Sequence, residues 1–318
     1  MYRKHCKYIL DSIRDSIMRS FLISCIKAYC RFIPIHIGKG ILMRIGRKIL
    51  LMGKKQEILK ADSIHGVSME VVLPRDAGWD VIFFRGTYET GTTKVFETLI
   101  RDLDRVFDIG ANMGWYSILS ARLAKHGEVH AFEPVPFIFE KFRKNAELNA
   151  IQTIKSNNIA LGKEQSGSIA IHTFDGLYHG HSSMSTLNRN DYSTVHVPMT
   201  TLDSYCEEHG IARIDFIKMD TEGAEMEVLA GAKHMMSGSF PPIWLIELNE
   251  ETAAAFGYVP HELIDTLLQY HPYEIFVIEG AWGKVRKMRD SKDYHHGDNL
   301  LCIPQYRSDA LENVKKLI

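Results

Sequence analysis

Short apolar runs alternate with helical patterns from residue 105 to residue 303, and this alternation constrains the fold more than any other feature. The apolar runs are VFDI, EVHAF, TIKSNNIA, IDFIKM, IWLIEL, YEIFVI and NLLCI. Their β-branched and aromatic content suits strands buried on both faces. Helical periodicity occupies about 90–103, 114–125, 136–149, 225–236 and 260–270. The pattern predicts an α/β class: a doubly wound, mostly parallel, seven-stranded Rossmann-like sheet over residues 90–303. No helical pattern separates the last two runs, so an antiparallel hairpin is expected to end the sheet.

The first 60 residues are different in kind. They carry 14 Lys/Arg against 3 Asp/Glu, a net of +11, whereas the rest of the chain carries 24 against 36. Ile9, Ile13, Ile17 and Phe21 recur every four residues, and Leu42, Ile45, Ile49 and Met52 every three to four. These spacings predict two amphipathic helices broken near Pro34 and Gly38–Gly40. Such helices can lie on an anionic membrane surface. Packing on the acidic body is the slightly favoured reading, because the stripe is short and lacks Trp. Asp11, Arg14, Asp15 and Arg19 interrupt any signal-peptide core, so the segment is expected to be retained. No run is long and apolar enough to span a bilayer. Residues 1–60 are therefore read as a basic extension and 61–318 as one domain. Within that domain, 63–85 is expected to form a small β-hairpin around PRDAG. The five cysteines form no CxxC pair and no zinc-ligand spacing, which fits reduced thiols in the cytoplasm.

VFDIGANMGWYSI, residues 106–118, carries most of the chemistry. A strand ends at Asp108, Gly110 and Gly114 follow, and a helix begins at once. Glycines here let the backbone turn sharply and approach a ligand. The free N–H groups of the helix then face the carboxyl edge of the sheet. Asn112 stands where a dinucleotide fingerprint would place its middle glycine. Asp108 suits a cationic ligand end, such as the amino or sulfonium group of S-adenosylmethionine, and would repel a pyrophosphate. Glu133, at the end of the second strand, can accept hydrogen bonds from both ribose hydroxyls.

FDIGANMGWYS, HAFEPVP, TLDSY and IDFIKMDTEGAEMEVLAGA together resemble the FkbM family of methyltransferases over roughly residues 84–250. The resemblance implies a class I methyltransferase fold, S-adenosylmethionine as cofactor, and transfer to a sugar, glycolipid or natural-product hydroxyl. It assigns Asp108, Gly110, Asn112, Gly114 and Glu133 to the cofactor. It also places Tyr88 and Glu89, in GTYETGT, near the methionine end, and makes Asn158 the candidate adenine contact.

Methyl transfer to a hydroxyl is an in-line displacement in which a proton must also leave. Asp220 and Glu222, at the carboxyl end of IDFIKM, are the leading catalytic candidates. Like charges so close raise at least one pKa, a useful property in a base. Glu225 reads better as a helix-start carboxylate. Glu247 ends IWLIEL and is expected to face the same crevice. With Asp220 and Asn249 it could hold a Mg²⁺, but a metal-free site is preferred. His181, with His179, lies in a long insert and is a second candidate base. His295 and His296 read as a turn.

Two alternatives stay open on the residues alone. One is an NAD-dependent oxidoreductase, which the missing middle glycine disfavours. The other is a noncatalytic cofactor-binding module, disfavoured by the acids at 108, 133 and 220. Nucleic acid is not an expected partner, since aromatics for base stacking are sparse in the basic segment. The expected location is cytoplasmic, with peripheral membrane contact through residues 1–60 as a subsidiary hypothesis.

Overall fold

The computed structural model describes residues 2–33, 37–174, 182–185, 192–280, 283–294 and 299–318. The chain divides into two compact units, Met1–Tyr88 and Glu89–Ile318.

The first unit contains α1 (Tyr2–Phe32), α2 (Lys39–Leu51), β1 (Glu57–Asp62), β2 (Ser68–Leu73) and α3 (Asp80–Arg85). The two basic helices group with the hairpin, so this unit runs past the residue-60 boundary expected from charge. Polar anchors explain why. Asp80 is fully buried, and a buried carboxylate needs a partner. Arg47 of α2 supplies a forked one, with nitrogens 2.8 and 2.9 Å from the two Asp80 oxygens. Arg31 of α1 donates to the carbonyls of Asp62 and Phe83 at 2.9 and 3.2 Å. Ile23, Ile26, Cys30 and Phe84 close a small core between them.

The hairpin is displaced from its expected place. Glu57 pairs with Leu73 and Asp62 with Ser68, so the turn falls at residues 63–67 rather than at PRDAG. PRDAG instead leads into α3, and within PRDAG the Asp76 carboxylate accepts the Val72 N–H at 2.9 Å. The β-like run DVIFFR is helical because Ile82 and Phe84 become fully buried that way, and tertiary packing outweighs propensity.

The second unit opens with α4 (Thr90–Leu99), β3 (Arg105–Ile109), α5 (Trp115–Leu123), β4 (Glu128–Phe132), α6 (Pro136–Leu148) and β5 (Ile154–Asn157). An insert follows, comprising β6 (Ala160–Leu161), β7 (Ser166–Phe174), β8 (Ser182–Ser183) and β9 (Tyr192–Thr200). Next come α7 (Leu202–Glu208), β10 (Phe216–Met219), α8 (Glu225–Ala230), α9 (Lys233–Ser237), β11 (Ile243–Glu247), α10 (Glu250–Ala255) and α11 (Pro260–Tyr270). The unit ends with β12 (Tyr273–Glu279), β13 (Lys284–Lys287), β14 (Asn299–Pro304) and α12 (Ser308–Lys315).

The main sheet has the order β13-β12-β14-β11-β10-β3-β4-β5. Strands β5, β4, β3, β10 and β11 run parallel, and β14, β12 and β13 complete the sheet by antiparallel pairing. All seven expected strands are present, and β13 adds an eighth at the edge. Strand order reverses between β3 and β10, and in an open α/β sheet a ligand crevice lies outside the carboxyl ends at such a point. A large core that includes Phe107, Phe132, Trp244, Leu263 and Leu267 packs the sheet against its helices. Each fully buried large side chain contributes roughly 1.5–3 kcal/mol. The insert forms its own sheet, β6-β9-β7-β8, over a core of Val135, Ile138, Ile171, Val197 and Met199.

Candidate active site

The strand-order reversal opens into a cleft whose empty space, including the part open to solvent, is about 600 Å³. Its lining draws on the turn after β3 (Gly110, Asn112), the turn after β4 (Glu133, Pro134) and the loop after β10 (Asp220, Thr221, Glu222). The insert contributes Ile171, Ser183 and Met184.

Gly110 makes the first turn possible. Its φ is +80°, and a Cβ there would run into the carbonyl of Asp220. The missing side chain thus lets the loops after β3 and β10 meet. Gly114 has φ +91° and the ring of Phe142 against its α-carbon, so it serves helix packing and does not line the cleft. Asn145 of α6 secures the same turn by donating to the Met113 carbonyl at 2.9 Å. Three non-glycine residues beside the site adopt left-handed backbone: Glu89 (φ 38°), Asn112 (φ 48°) and Glu222 (φ 52°). Strain of this kind is typically held in place at functional sites.

Glu133 is 3% exposed and lines the cleft. One of its oxygens accepts the Asn112 N–H at 2.9 Å and the other the Val135 N–H at 2.8 Å. Burial pushes its pKa up to about 7 against the pull of those two donors. Each oxygen keeps a second lone pair, enough to receive a pair of vicinal hydroxyls. Asn158 sits behind this turn. Its amide donates to the carbonyls of Glu133 and Pro134 at 2.9 and 2.8 Å, so it shapes the turn and is not among the lining residues.

Asp108 is 2% exposed and accepts the Ser117 hydroxyl at 2.5 Å. Burial raises its pKa to about 6, opposed by Ser117 and by Lys218.

Asp220 and Glu222 line the cleft. Glu225 holds their loop in shape: one carboxylate oxygen accepts the backbone N–H groups of Thr221 and Gly223 and the Thr221 hydroxyl, at 3.0–3.2 Å. The other accepts the Tyr258 hydroxyl at 2.8 Å. Ser183 of the insert donates to the Glu222 carbonyl at 2.9 Å, tying the insert to the same loop. Glu247 ends β11, and the nearby Asp220 charge, then burial, raises its pKa. Asn249 caps α10 by accepting the Glu251 N–H at 2.8 Å, so its carboxamide oxygen is already engaged. Glu89 accepts the Tyr116 hydroxyl at 2.7 Å, while Tyr88 stacks on Trp79 with ring centroids 4.3 Å apart. His179, His181, His295 and His296 lie outside the described residues.

Lys218 was not anticipated. It is 1% exposed in the middle of β10, with its ammonium 3.7 Å from an Asp220 oxygen. A lysine interrupting the apolar run IDFIKM was the available signal, since such residues are almost never fully buried unless paired.

A reversed-order α/β sheet, a glycine turn and a strand-end carboxylate with room for vicinal hydroxyls are the framework of a nucleoside-binding α/β enzyme. The methyltransferase FkbM domain matches residues 108–275, more than half of the chain, and the protein belongs to that family. The chain is 28% identical over 144 residues to Methyltransferase 1 of Beauveria bassiana, covering 40% of this chain and 57% of that protein. It is 26% identical over 165 residues to the 2-O-methyltransferase NoeI of Sinorhizobium fredii, covering 46% and 67%. The match thus spans little more than half the length of the Beauveria relative. An O-methyltransferase from Bacillus cereus, solved in complex with SAH, aligns at TM-score 0.38 and 12% identity, covering 68% of this chain and 80% of that one. The cofactor of this domain is S-adenosylmethionine, and the NAD-dependent alternative falls. The cleft fits the cofactor: Glu133 offers paired acceptor sites beside a turn that the missing Gly110 side chain lets close against the loop after β10.

Proposed function

We propose that this protein methylates a hydroxyl oxygen of a sugar, glycolipid or natural-product acceptor presented at the open end of the cleft. The observation that carries the reading is the pair of carboxylates, Asp220 and Glu222, lining the cleft, with Glu247 near enough to feel the Asp220 charge. Carboxylates are good acceptors for hydroxyl protons, and a weakly acidic alcohol needs one within reach. The name of NoeI, a 2-O-methyltransferase, points the same way.

In this reading Glu133 holds the ribose hydroxyls, while Gly110 and Asn112 shape the floor beneath. Glu89 faces the methionine end, and Asn158 supports the adenine side by fixing the Glu133–Pro134 turn. Gly114 acts through the packing of α5. The bound cofactor supplies an electrophilic methyl group on a sulfonium. Asp220 orients the acceptor hydroxyl and takes its proton as the oxygen–carbon bond forms and the carbon–sulfur bond breaks. Glu222 and Glu247 hold neighbouring hydroxyls.

An acceptor screen with methyl-labelled S-adenosylmethionine tests the proposal. Label is expected in a product that survives mild alkali, as a methyl ether does, with turnover reduced at least about 100-fold in Asp220→Asn. Alkali-labile label, the mark of a carboxyl ester, would contradict it.

We further propose a cytoplasmic protein that touches an anionic membrane through residues 1–60. Ile17 and Phe21 of α1 are 65% and 66% exposed, Ile41 of α2 is 64% exposed, and the segment carries a net of +11. Apolar exposure beside basic charge is the pattern of interfacial helices. No helix among the described residues is long and apolar enough to cross a membrane. Flotation with anionic but not neutral vesicles is expected. Equal, negligible binding to both would end the idea.

A further inference from the structure

Lys218 lies between Ile217 and Met219, both fully buried, in the centre of the main sheet. Strand register assembles carboxylates around it. Lys218 pairs with Asp108 across β3 and with Leu245 across β11. Paired residues leave a sheet on the same face, as does Glu247 two positions beyond Leu245. Asp220 approaches from the loop after β10, 3.7 Å from the ammonium. Tyr116 of α5 places its ring 5.3 Å from the same ammonium while its hydroxyl binds Glu89. Four carboxylates from four segments therefore act on one buried cation.

We propose that Lys218 is a positioning residue, the internal counter-charge that gathers Glu89, Asp108, Asp220 and Glu247 at the methyl-transfer end of the cleft and sets how many of them carry charge. Burial alone would lower the pKa of its ammonium, yet Asp220, Glu247, Glu89 and Asp108 outweigh burial and push it up to about 12. Lys218 is thus a cation throughout the physiological range. Glu247 is driven the opposite way by Asp220, burial, Glu89 and Glu222, with Lys218 the opposing influence. Removing the cation leaves the carboxylates to repel one another, and they relieve the repulsion by taking up protons. The inference rests on reading this edge as the place where the methyl group is presented.

Calorimetric titration of the full chain with two nonreactive ligands from pH 5.5 to 9 tests it. Sinefungin carries an amine where the cofactor carries its methyl group, and S-adenosylhomocysteine is neutral there. The preference for sinefungin should grow as the carboxylates ionise. In Lys218→Met the midpoint of that growth is expected to rise by at least one pH unit, a tenfold change in proton affinity. Affinity for S-adenosylhomocysteine at pH 8.5 should stay within threefold, and Lys218→Arg should keep the midpoint in place. An unmoved midpoint in Lys218→Met overturns the inference. A chain that never prefers sinefungin at any pH overturns instead the reading of this edge as the methyl-transfer end. If Lys218→Met fails to fold, the double variant with Asp220→Asn removes cation and nearest anion together. Recovered binding of S-adenosylhomocysteine supports the counter-charge role, and continued failure to fold contradicts it.

Discussion

At the residue scale, burial has moved two carboxyls at the strand ends toward neutral pH. Glu133 titrates at about 7 and Asp108 at about 6, both raised chiefly by burial. Each therefore holds a proton in the folded chain over a range where the unfolded chain has lost it. The sign follows: the stability these two carboxyls contribute to the ligand-free fold declines as pH climbs from about 4 toward 7. A ligand whose hydroxyls donate to Glu133 favours its ionised form, so binding lowers that pKa and releases protons. Titrations of S-adenosylhomocysteine near pH 6.5, in buffers of different ionisation enthalpy, are expected to show net release, with affinity rising toward pH 8. Net uptake would show that the protonated acid is the one that binds. Glu133 was readable from sequence because its position follows a strand-end rule. The depth of Asp108 was not, since which acids face a cavity depends on side-chain packing that spacing does not encode.

At the element scale, the loops after β3 and β10 form one structure, meeting where Gly110 lacks a side chain. Gly110→Ala brings a methyl group against the Asp220 carbonyl at a φ of +80°, so both loops must move. A loss of about 1–3 kcal/mol in stability is expected, along with at least tenfold weaker binding of S-adenosylhomocysteine. Urea unfolding and calorimetry check the two effects, and an unchanged affinity would detach the Gly110 turn from the site. The strands of the sheet were legible because buried parallel strands are apolar runs of the right length. DVIFFR misled for the same reason, being equally apolar but needed as a helix to bury Ile82 and Phe84. The insert strands β7 and β9 were missed because their partly exposed, Ser- and Thr-rich sequences resemble loops, and only their pairing over Val135 and Ile138 reveals the sheet.

At the scale of the whole molecule, every described residue of the cleft belongs to the unit Glu89–Ile318, while the basic helices belong to Met1–Tyr88. The stability of the larger unit includes an acid-sensitive element in its core. His130 of β4 is fully buried, shares a 2.9 Å hydrogen bond with the Tyr205 hydroxyl of α7, and stacks on Phe107. Burial, with Lys155 adding to it, lowers its pKa from 6.5 to about 4. The unfolded chain therefore binds the extra proton at this site between those values, and the stability contributed by His130 falls as pH drops through that window. Measured against His130→Phe, which lacks the titrating ring, the unsubstituted protein should lose about 1.4 kcal/mol of relative stability per pH unit from 6.5 down to 4. Parallel stability curves for the two proteins would refute a neutral buried imidazole. The central claim is that the cleft at the strand-order reversal holds the nucleoside of S-adenosylmethionine through Glu133. Calorimetric titration of the full chain with S-adenosylhomocysteine tests it most directly. One site per chain is expected, weakened about 10- to 100-fold by Glu133→Ala, with no heat from NAD. Equal affinity in Glu133→Ala, or no binding of S-adenosylhomocysteine, would contradict the account.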